Sequence, residues 1–168
     1  MPQRNRMKNT PFLLLGTNVG DTKKNLTSAR NVIELSVGPI LKASSLYQTK
    51  AWGKTDQPDF LNQAIQVETG LHAHELLDQI LMEEQSMGRI RTEKWSERII
   101  DIDILLYGNE IISSSSLIIP HPQLPNRRFA LEPLAEIAPH FIHPVFGVTI
   151  VELLDRCADP LQVWRVVL

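Results

Sequence analysis

The chain lacks several features on which common kinds of site depend. Cys157 is its only cysteine, which excludes an internal disulfide and a cysteine-rich metal site and makes a cytoplasmic location the simplest expectation. The phosphate-binding pattern GxxxxGK[ST] is missing, which argues against a P-loop enzyme. No apolar run approaches the length of a membrane span, so we expect no membrane partner. Aromatic residues make up only 6% of the chain, and their positions are therefore informative.

No excess of one charge marks the sequence either. The formal net charge is −2, so no global field draws the protein to nucleic acid, and any anion site must come from a local cluster. A length of 168 residues with 43% hydrophobic residues fits one globular domain over residues 1–168. We expect residues 1–10 to be disordered and the protein to be a monomer.

Strand and helix patterns alternate in the order β-α-β-β-α-β. We predict strands over residues 12–15, 40–47, 61–69 and 99–107, a first helix capped by Asp21, and a second over residues 73–87. Gly108-Asn109 is typical of a tight turn that folds residues 110–112 back on the preceding strand. Two short helices over 129–137 and 149–157 and an edge strand over 163–168 follow. This is the ferredoxin-like arrangement: an α+β fold with a mainly antiparallel sheet, an added hairpin and C-terminal helices.

Two acids interrupt the predicted strand over residues 99–107. Asp101 and Asp103 point to the same face, about 6–7 Å apart, while Ile100, Ile102, Ile104 and Leu106 point to the other face. The two carboxylates repel each other by about 2–3 kcal/mol at an effective dielectric constant near 20. A shared cation would remove that cost, and oxygen ligands favour a hard ion such as magnesium. A strand with one solvated face explains the pattern equally well.

Other polar residues near this strand are open to two interpretations. Glu84 falls within the apolar stripe of the second helix, where a carboxylate costs free energy unless it is paired. It either leans outward or bonds to an arginine, or it faces the same pocket as the two aspartates. The segment 89–98 carries four cations, which suit a metal-bound polyphosphate but are also common on solvated loops.

Five further residues are candidates for contacts with a ligand. His121 and Arg127 could contact phosphate, although a histidine between two prolines is often a structural hydrogen-bond partner. Phe60 and Phe129 are either core residues or the two sides of a sandwich around a flat heterocycle, whose polar edge Asn62 would read.

Six motifs occur in an order that resembles one known family. They are GTN at 16–18, DQPDFLN at 56–62, GRIR at 88–91, RIIDID at 98–103, IPHP at 119–122 and RRFALEPL at 127–134. Together they are similar to the 6-hydroxymethyl-7,8-dihydropterin pyrophosphokinases of folate biosynthesis. The resemblance implies transfer of pyrophosphate from ATP to the hydroxymethyl group of the pterin, with release of AMP. It also implies two magnesium ions.

The resemblance also implies a role for individual residues. Asp101 and Asp103 would hold both metals, and Arg89 and Arg98 would act with them as catalytic residues on the triphosphate. The ATP site would comprise Glu84, Arg91, Trp95, Ile104, His121 and Arg127. The pterin site would comprise Thr49, Phe60, Asn62 and Phe129. One departure is the segment Lys50-Ala-Trp-Gly53 after Thr49, which stands where many members have two prolines and a leucine. The rival interpretations are a ferredoxin-like nucleic-acid-binding module and a two-metal phosphohydrolase.

Overall fold

An antiparallel sheet lies at the centre of the protein. We describe it from a computed structural model that covers residues 7–50, 57–88 and 99–167. Within these residues the sheet has six strands: β1 (Phe12–Thr17), β2 (Ile40–Ala43), β3 (Tyr47–Thr49), β4 (Phe60–Val67), β5 (Asp101–Leu106) and β8 (Val163–Arg165). A separate hairpin consists of β6 (Ile112–Ser113) and β7 (Ile118–Ile119). The helices are α1 (Thr22–Ser36), α2 (Ala73–Ser86), α3 (Arg128–Ile137) and α4 (Ile150–Arg156).

The strand order confirms the predicted fold class. The main sheet runs β5-β1-β4-β3-β8, with β2 paired to β4 as well, and every pairing is antiparallel. If β2 and β3 are counted as the second strand, this is the ferredoxin-like order of the βαββαβ unit. The final strand β8 lies at an edge, beside β3, as predicted. No helix in the described ranges has both the length and the apolar character to span a membrane.

Strand β1 is buried on both faces and separates two cores. Leu13 and Leu15 belong to the core beneath α1 and α2, whereas Phe12 and Leu14 belong to the core beneath α3 and α4. In an antiparallel pair, residues directly opposite each other share a face. Leu14 is opposite Asp103 and Gly16 is opposite Asp101, so both aspartates lie on the α3 face of β5.

Two predicted strands differ from those observed. The segment 40–47 forms two strands because the chain bends at Ser44, whose side chain accepts a hydrogen bond from the backbone N–H of Ala64 at 3.0 Å. Residues 110–112 do not pair with β5; Ile112 instead pairs with Ile119. At that edge of β5, the carbonyl of Leu105 accepts from the N–H of His121 at 3.0 Å.

Two further expectations are wrong in part. Leu106 was expected on the face opposite the aspartates, but it packs in the α3–α4 core with Leu105. The register of β5 against β1 shifts between Phe12 and Leu13, and such a bulge changes the face of the residues beyond it. Residues 7–10 are not disordered, because Asn9 and Thr69 exchange two backbone hydrogen bonds of 2.8 Å.

The turn after α1 depends on a glycine. Gly38 has a φ of +153°, and a Cβ atom there would lie 1.9 Å from the backbone oxygen of Glu68. We therefore expect Gly38→Ala to lower the free energy of unfolding by more than about 2 kcal/mol, measured by urea denaturation.

The matched control is Gly147→Ala. Gly147 also has a positive φ, +68°, but no described atom lies within 4 Å of its Cβ position. Only the conformational cost of about 1 kcal/mol is expected there. Equal effects of the two substitutions would show that the Glu68 contact does not matter.

Candidate active site

Two cavities meet at the aspartates of β5. The larger, of about 770 Å³, lies beside α2, β5 and the β6–β7 hairpin, and the smaller, of about 550 Å³, lies beside β3, β4 and the start of α3. Asp101 and Asp103 line both cavities. They alternate along β5 with Ile102 and Ile104, which are buried in the opposite core. The strand thus presents two partly exposed carboxylates at a wall that the cavities share.

The smaller cavity brings together all four residues predicted to bind a pterin. Thr49 ends β3, Phe60 and Asn62 lie at the start of β4, and Phe129 lies in the first turn of α3. Phe129 also packs against the α3–α4 core, so the core and sandwich interpretations of this ring are compatible. These residues are distant in the sequence, and the pairing of β3 with β4 sets the first three together.

Asn62 carries a buried amide group at this cavity. Its side chain is buried, and its Nδ2 atom makes no hydrogen bond to any part of the chain that the structure describes. Buried amide groups are nearly always hydrogen-bonded, so this donor fits a ligand acceptor. Gly16 lies opposite Asn62 in the sheet, and a Cβ atom on Gly16 would be 2.9 Å from Asn62 Oδ1. The absence of a side chain at Gly16 makes room for the amide.

The larger cavity contains three residues of the predicted ATP set: Glu84, Ile104 and His121. Glu84 is 2% exposed, and its Oε2 atom accepts a hydrogen bond from the backbone N–H of Ile102 at 3.0 Å. The interpretation in which this carboxylate leans outward is therefore wrong. It lies at the same cavity as the aspartates, and a backbone dipole of β5 stabilises it.

His121 is held in one orientation by the backbone. Its Nδ1 atom accepts from the N–H of Gln123 at 3.1 Å, so the neutral ring carries its proton on Nε2. Burial, assisted by the nearby Arg127, lowers the pKa of His121 to about 4, although Asp101 opposes the shift. His121 therefore bonds to the backbone, as the structural interpretation expected, and also lines the larger cavity.

Arg127 lies at the smaller cavity, although it was predicted at the ATP site. Its guanidinium carbon is 5.6 Å from the centre of the Phe129 ring, a cation–π distance. Arg127 thus lines the smaller cavity together with Phe129 and the two aspartates. The remaining predicted residues, Arg89, Arg91, Trp95 and Arg98, lie outside the described ranges.

Sequence reasoning missed several of the residues that line the two cavities. Gly16 and Lys50 both line the smaller cavity. Lys50 Nζ is 3.5 Å from Asp59 Oδ1, and Gln48 donates to the other oxygen of that carboxylate at 2.9 Å. The position of Lys50 next to Thr49 was a usable signal, but nothing local indicated that Gly16 faces Asn62.

Comparison with known proteins identifies the family. The family model for 7,8-dihydro-6-hydroxymethylpterin-pyrophosphokinase (HPPK) matches residues 12–139. The chain belongs to this family. It is 40% identical over 153 residues to the 2-amino-4-hydroxy-6-hydroxymethyldihydropteridine pyrophosphokinase of Synechocystis, covering 90% of this chain and 77% of that one. The Haemophilus influenzae enzyme of the same name is also 40% identical, over 89% of this chain and 94% of its own.

Solved structures agree with the fold of the HPPK family. The wild-type HPPK-DHPS of Plasmodium falciparum with pteroate superposes with a TM-score of 0.75 at 18% identity. The match covers 91% of this chain but only 45% of that longer chain. At this identity the likeness supports the fold alone.

The pKa of His121 gives a test in the absence of ligands. A ring with a pKa of about 4 when folded and about 6.5 when unfolded binds more protons in the unfolded state. Stability should therefore fall as the pH drops from 6.5 towards 4. NMR titration of the ring should show the neutral form down to about pH 5. His121→Asn, which keeps an acceptor for the Gln123 N–H, should lack this part of the pH dependence. Titration of the wild-type ring near pH 6.5 would contradict the shift.

Proposed function

We propose that the two cavities hold the two substrates of the HPPK reaction. In that reaction of folate biosynthesis, pyrophosphate passes from ATP to the hydroxymethyl group of 6-hydroxymethyl-7,8-dihydropterin. The supporting observation is that Asp101 and Asp103 line both cavities, so groups bound in each can meet at the same carboxylates. Neither a nucleic-acid-binding module nor a phosphohydrolase is supported by the family to which the chain belongs.

The smaller cavity takes the pterin in this proposal. The flat ring system lies between Phe60 and Phe129, where stacking contributes about 1–3 kcal/mol per ring by analogy with bases on aromatic side chains. The buried Nδ2–H of Asn62 donates to an acceptor on the ring edge, and Thr49 contributes to the same edge. The hydroxymethyl group then points towards the aspartates.

The larger cavity takes the nucleotide. Glu84, Ile104 and His121 line it, and the neutral His121 offers an Nε2–H donor without adding charge. Arg91 and Trp95 complete the ATP site in the proposal, together with Arg127, which lines the smaller cavity. Arg89 and Arg98 bind the triphosphate oxygens, for which the fork of arginine is suited.

Two magnesium ions fit the side chains of the shared wall. No cluster of three or more acidic, histidine or cysteine ligands occurs among the residues that the structure describes. Magnesium is usually bound through one or two carboxylates, with substrate phosphates and water completing its shell. Asp101 and Asp103 provide such a pair, and they would hold the ions together with ATP. When bound, the ions neutralise charge on the phosphate oxygens.

The transfer step needs mainly positioning. The hydroxyl oxygen of the pterin forms a bond to the β-phosphorus, and the bond from that phosphorus to the oxygen shared with the α-phosphate breaks. AMP leaves with that oxygen, and the hydroxyl proton is released to solvent. Phosphoryl transfer requires little covalent assistance, so fixing the two substrates in line supplies much of the acceleration. We assign no side chain as general base. A monomeric state and a cytoplasmic location complete the proposal.

The product of the reaction tests this function. The protein is incubated with ATP, magnesium and the reduced pterin alcohol, and the nucleotide product is identified by chromatography. We expect AMP in equal amount to pyrophosphorylated pterin, and none when the pterin is omitted. Formation of ADP, or of phosphate without pterin, would contradict the proposal.

The same assay tests the shared wall. Asp103→Asn removes one carboxylate at nearly constant volume, and we expect it to lower turnover by at least about 100-fold without unfolding the protein. Asp78→Asn, the same change at an exposed position of α2, serves as the matched control. Turnover of Asp103→Asn within a few-fold of the wild type would show that Asp103 holds no essential ion.

The contact between Gly16 and Asn62 gives an independent prediction. Gly16→Ala would place a methyl group 2.9 Å from Asn62 Oδ1 and displace the amide. We expect weaker pterin binding, by about fivefold to tenfold, as for one lost hydrogen bond, measured by fluorescence titration. In the Asn62→Ala background the same substitution should have little further effect. Independent, additive losses would show that Gly16 does not act through Asn62.

A further inference from the structure

A residue far along the chain holds the start of α3. Asp159 follows α4 in the sequence and is 8% exposed. Its Oδ2 atom accepts a hydrogen bond of 3.0 Å from the backbone N–H of Arg128, the first residue of α3. Its Oδ1 atom accepts from the N–H of Leu161, also at 3.0 Å. The carboxylate therefore joins the helix to the segment that follows α4.

This contact replaces a cap that α3 cannot provide itself. The N-cap residue of α3 is Arg127, and a guanidinium has no acceptor for the first N–H groups of a helix. By contrast, Asp21 and Thr149 cap α1 and α4 from the N-cap position. A carboxylate at a helix N-terminus both accepts a hydrogen bond and interacts favourably with the helix dipole. Asp159 meets both requirements from outside the helix.

The contact between Arg128 and the later segment is reciprocal. Arg128 Nε donates to the carbonyl of Asp159 at 3.3 Å, and Nη2 donates to the carbonyl of Cys157 at 3.0 Å. The side chain of Arg128 thus fixes the backbone of residues 157–159, while the side chain of Asp159 fixes the backbone of Arg128. Such a pair restrains the direction in which α3 begins.

The same segment also supports β3, another element that lines the smaller cavity. Thr49 Oγ1 donates to the carbonyl of Gln162 at 3.0 Å, and Thr49 is opposite Val163 in the β3–β8 pair. Residues 157–165 therefore hold β3 at one end and the start of α3 at the other. These residues lie beyond the part of the chain that the HPPK family model matches, residues 12–139.

We propose that Asp159 is a positioning residue for the smaller cavity. Asp159 is not a lining residue of that cavity, but the helix turn that it caps carries Phe129 and follows Arg127, which both line it. Loss of the cap lets the first turn of α3 fray, and the Phe129 ring loses its fixed place. The inference rests on the proposed function, because it takes this cavity as the pterin site.

The test compares the two substrates in three variants. Asp159→Ala removes both acceptors, Asp159→Asn removes the charge but keeps one carbonyl oxygen, and Asp155→Asn makes the same charge change at an exposed site in α4. The reduced pterin alcohol and a non-hydrolysable ATP analogue are titrated separately, with magnesium. We expect the Kd for the pterin to rise about fivefold to tenfold in Asp159→Ala and by less in Asp159→Asn, and the Kd for the nucleotide to stay within about twofold. Asp155→Asn should match the wild type, and KM for the pterin should change more than kcat.

Phe129→Ala distinguishes failure of this inference from failure of the proposed function. If Phe129→Ala leaves pterin binding unchanged, the cavity is not the pterin site. If Phe129→Ala weakens binding but folded Asp159 variants do not, Asp159 is not a positioning residue. Equal losses of pterin and nucleotide affinity would also overturn the inference, since they indicate general destabilisation. Should Asp159→Ala fail to fold, Asp159→Asn carries the comparison, with faster hydrogen exchange in the first turn of α3 as the second readout.

Discussion

The register of β5 against β1 is the constraint on which the site depends. Strand side chains alternate between faces, so a slip of one residue would turn both aspartates into the α1–α2 core and leave isoleucines in their place at the smaller cavity. Burial of Ile102 and Ile104 with Leu13 and Leu15 in the α1–α2 core opposes that slip, because it would replace buried isoleucines with carboxylates there. The apolar packing of alternate residues of β5 therefore determines where the two carboxylates lie.

Backbone amides orient three polar side chains at or near the site. Glu84 accepts from Ile102, His121 accepts from Gln123, and Asp159 accepts from Arg128. A backbone donor is already held in place by the fold. A side chain that bonds to it therefore becomes oriented without a further loss of backbone conformational entropy. Through these bonds the regular elements position groups that would otherwise be costly to bury.

The smaller cavity joins distant parts of the chain. Its walls come from β1, β3, β4, β5 and the start of α3, and residues 157–165 link two of those elements. Movement of α3 relative to the sheet would change the separation of Phe60 from Phe129. A flat ligand bound between two rings is sensitive to that separation, since stacking and dispersion both fall off steeply with distance.

The sequence alone determined the α+β class, the alternation that puts Asp101 and Asp103 on one face, and the family, because these depend on local periodicity and on motif order. It also indicated which rings and which amide lie together. Only the tertiary structure decided that residues 112–113 pair with residues 118–119, that a bulge turns Leu106 towards α3, that Gly16 makes room for Asn62, and that Asp159 caps α3. These contacts join residues far apart in the chain, and no local pattern encodes which partner each residue will meet.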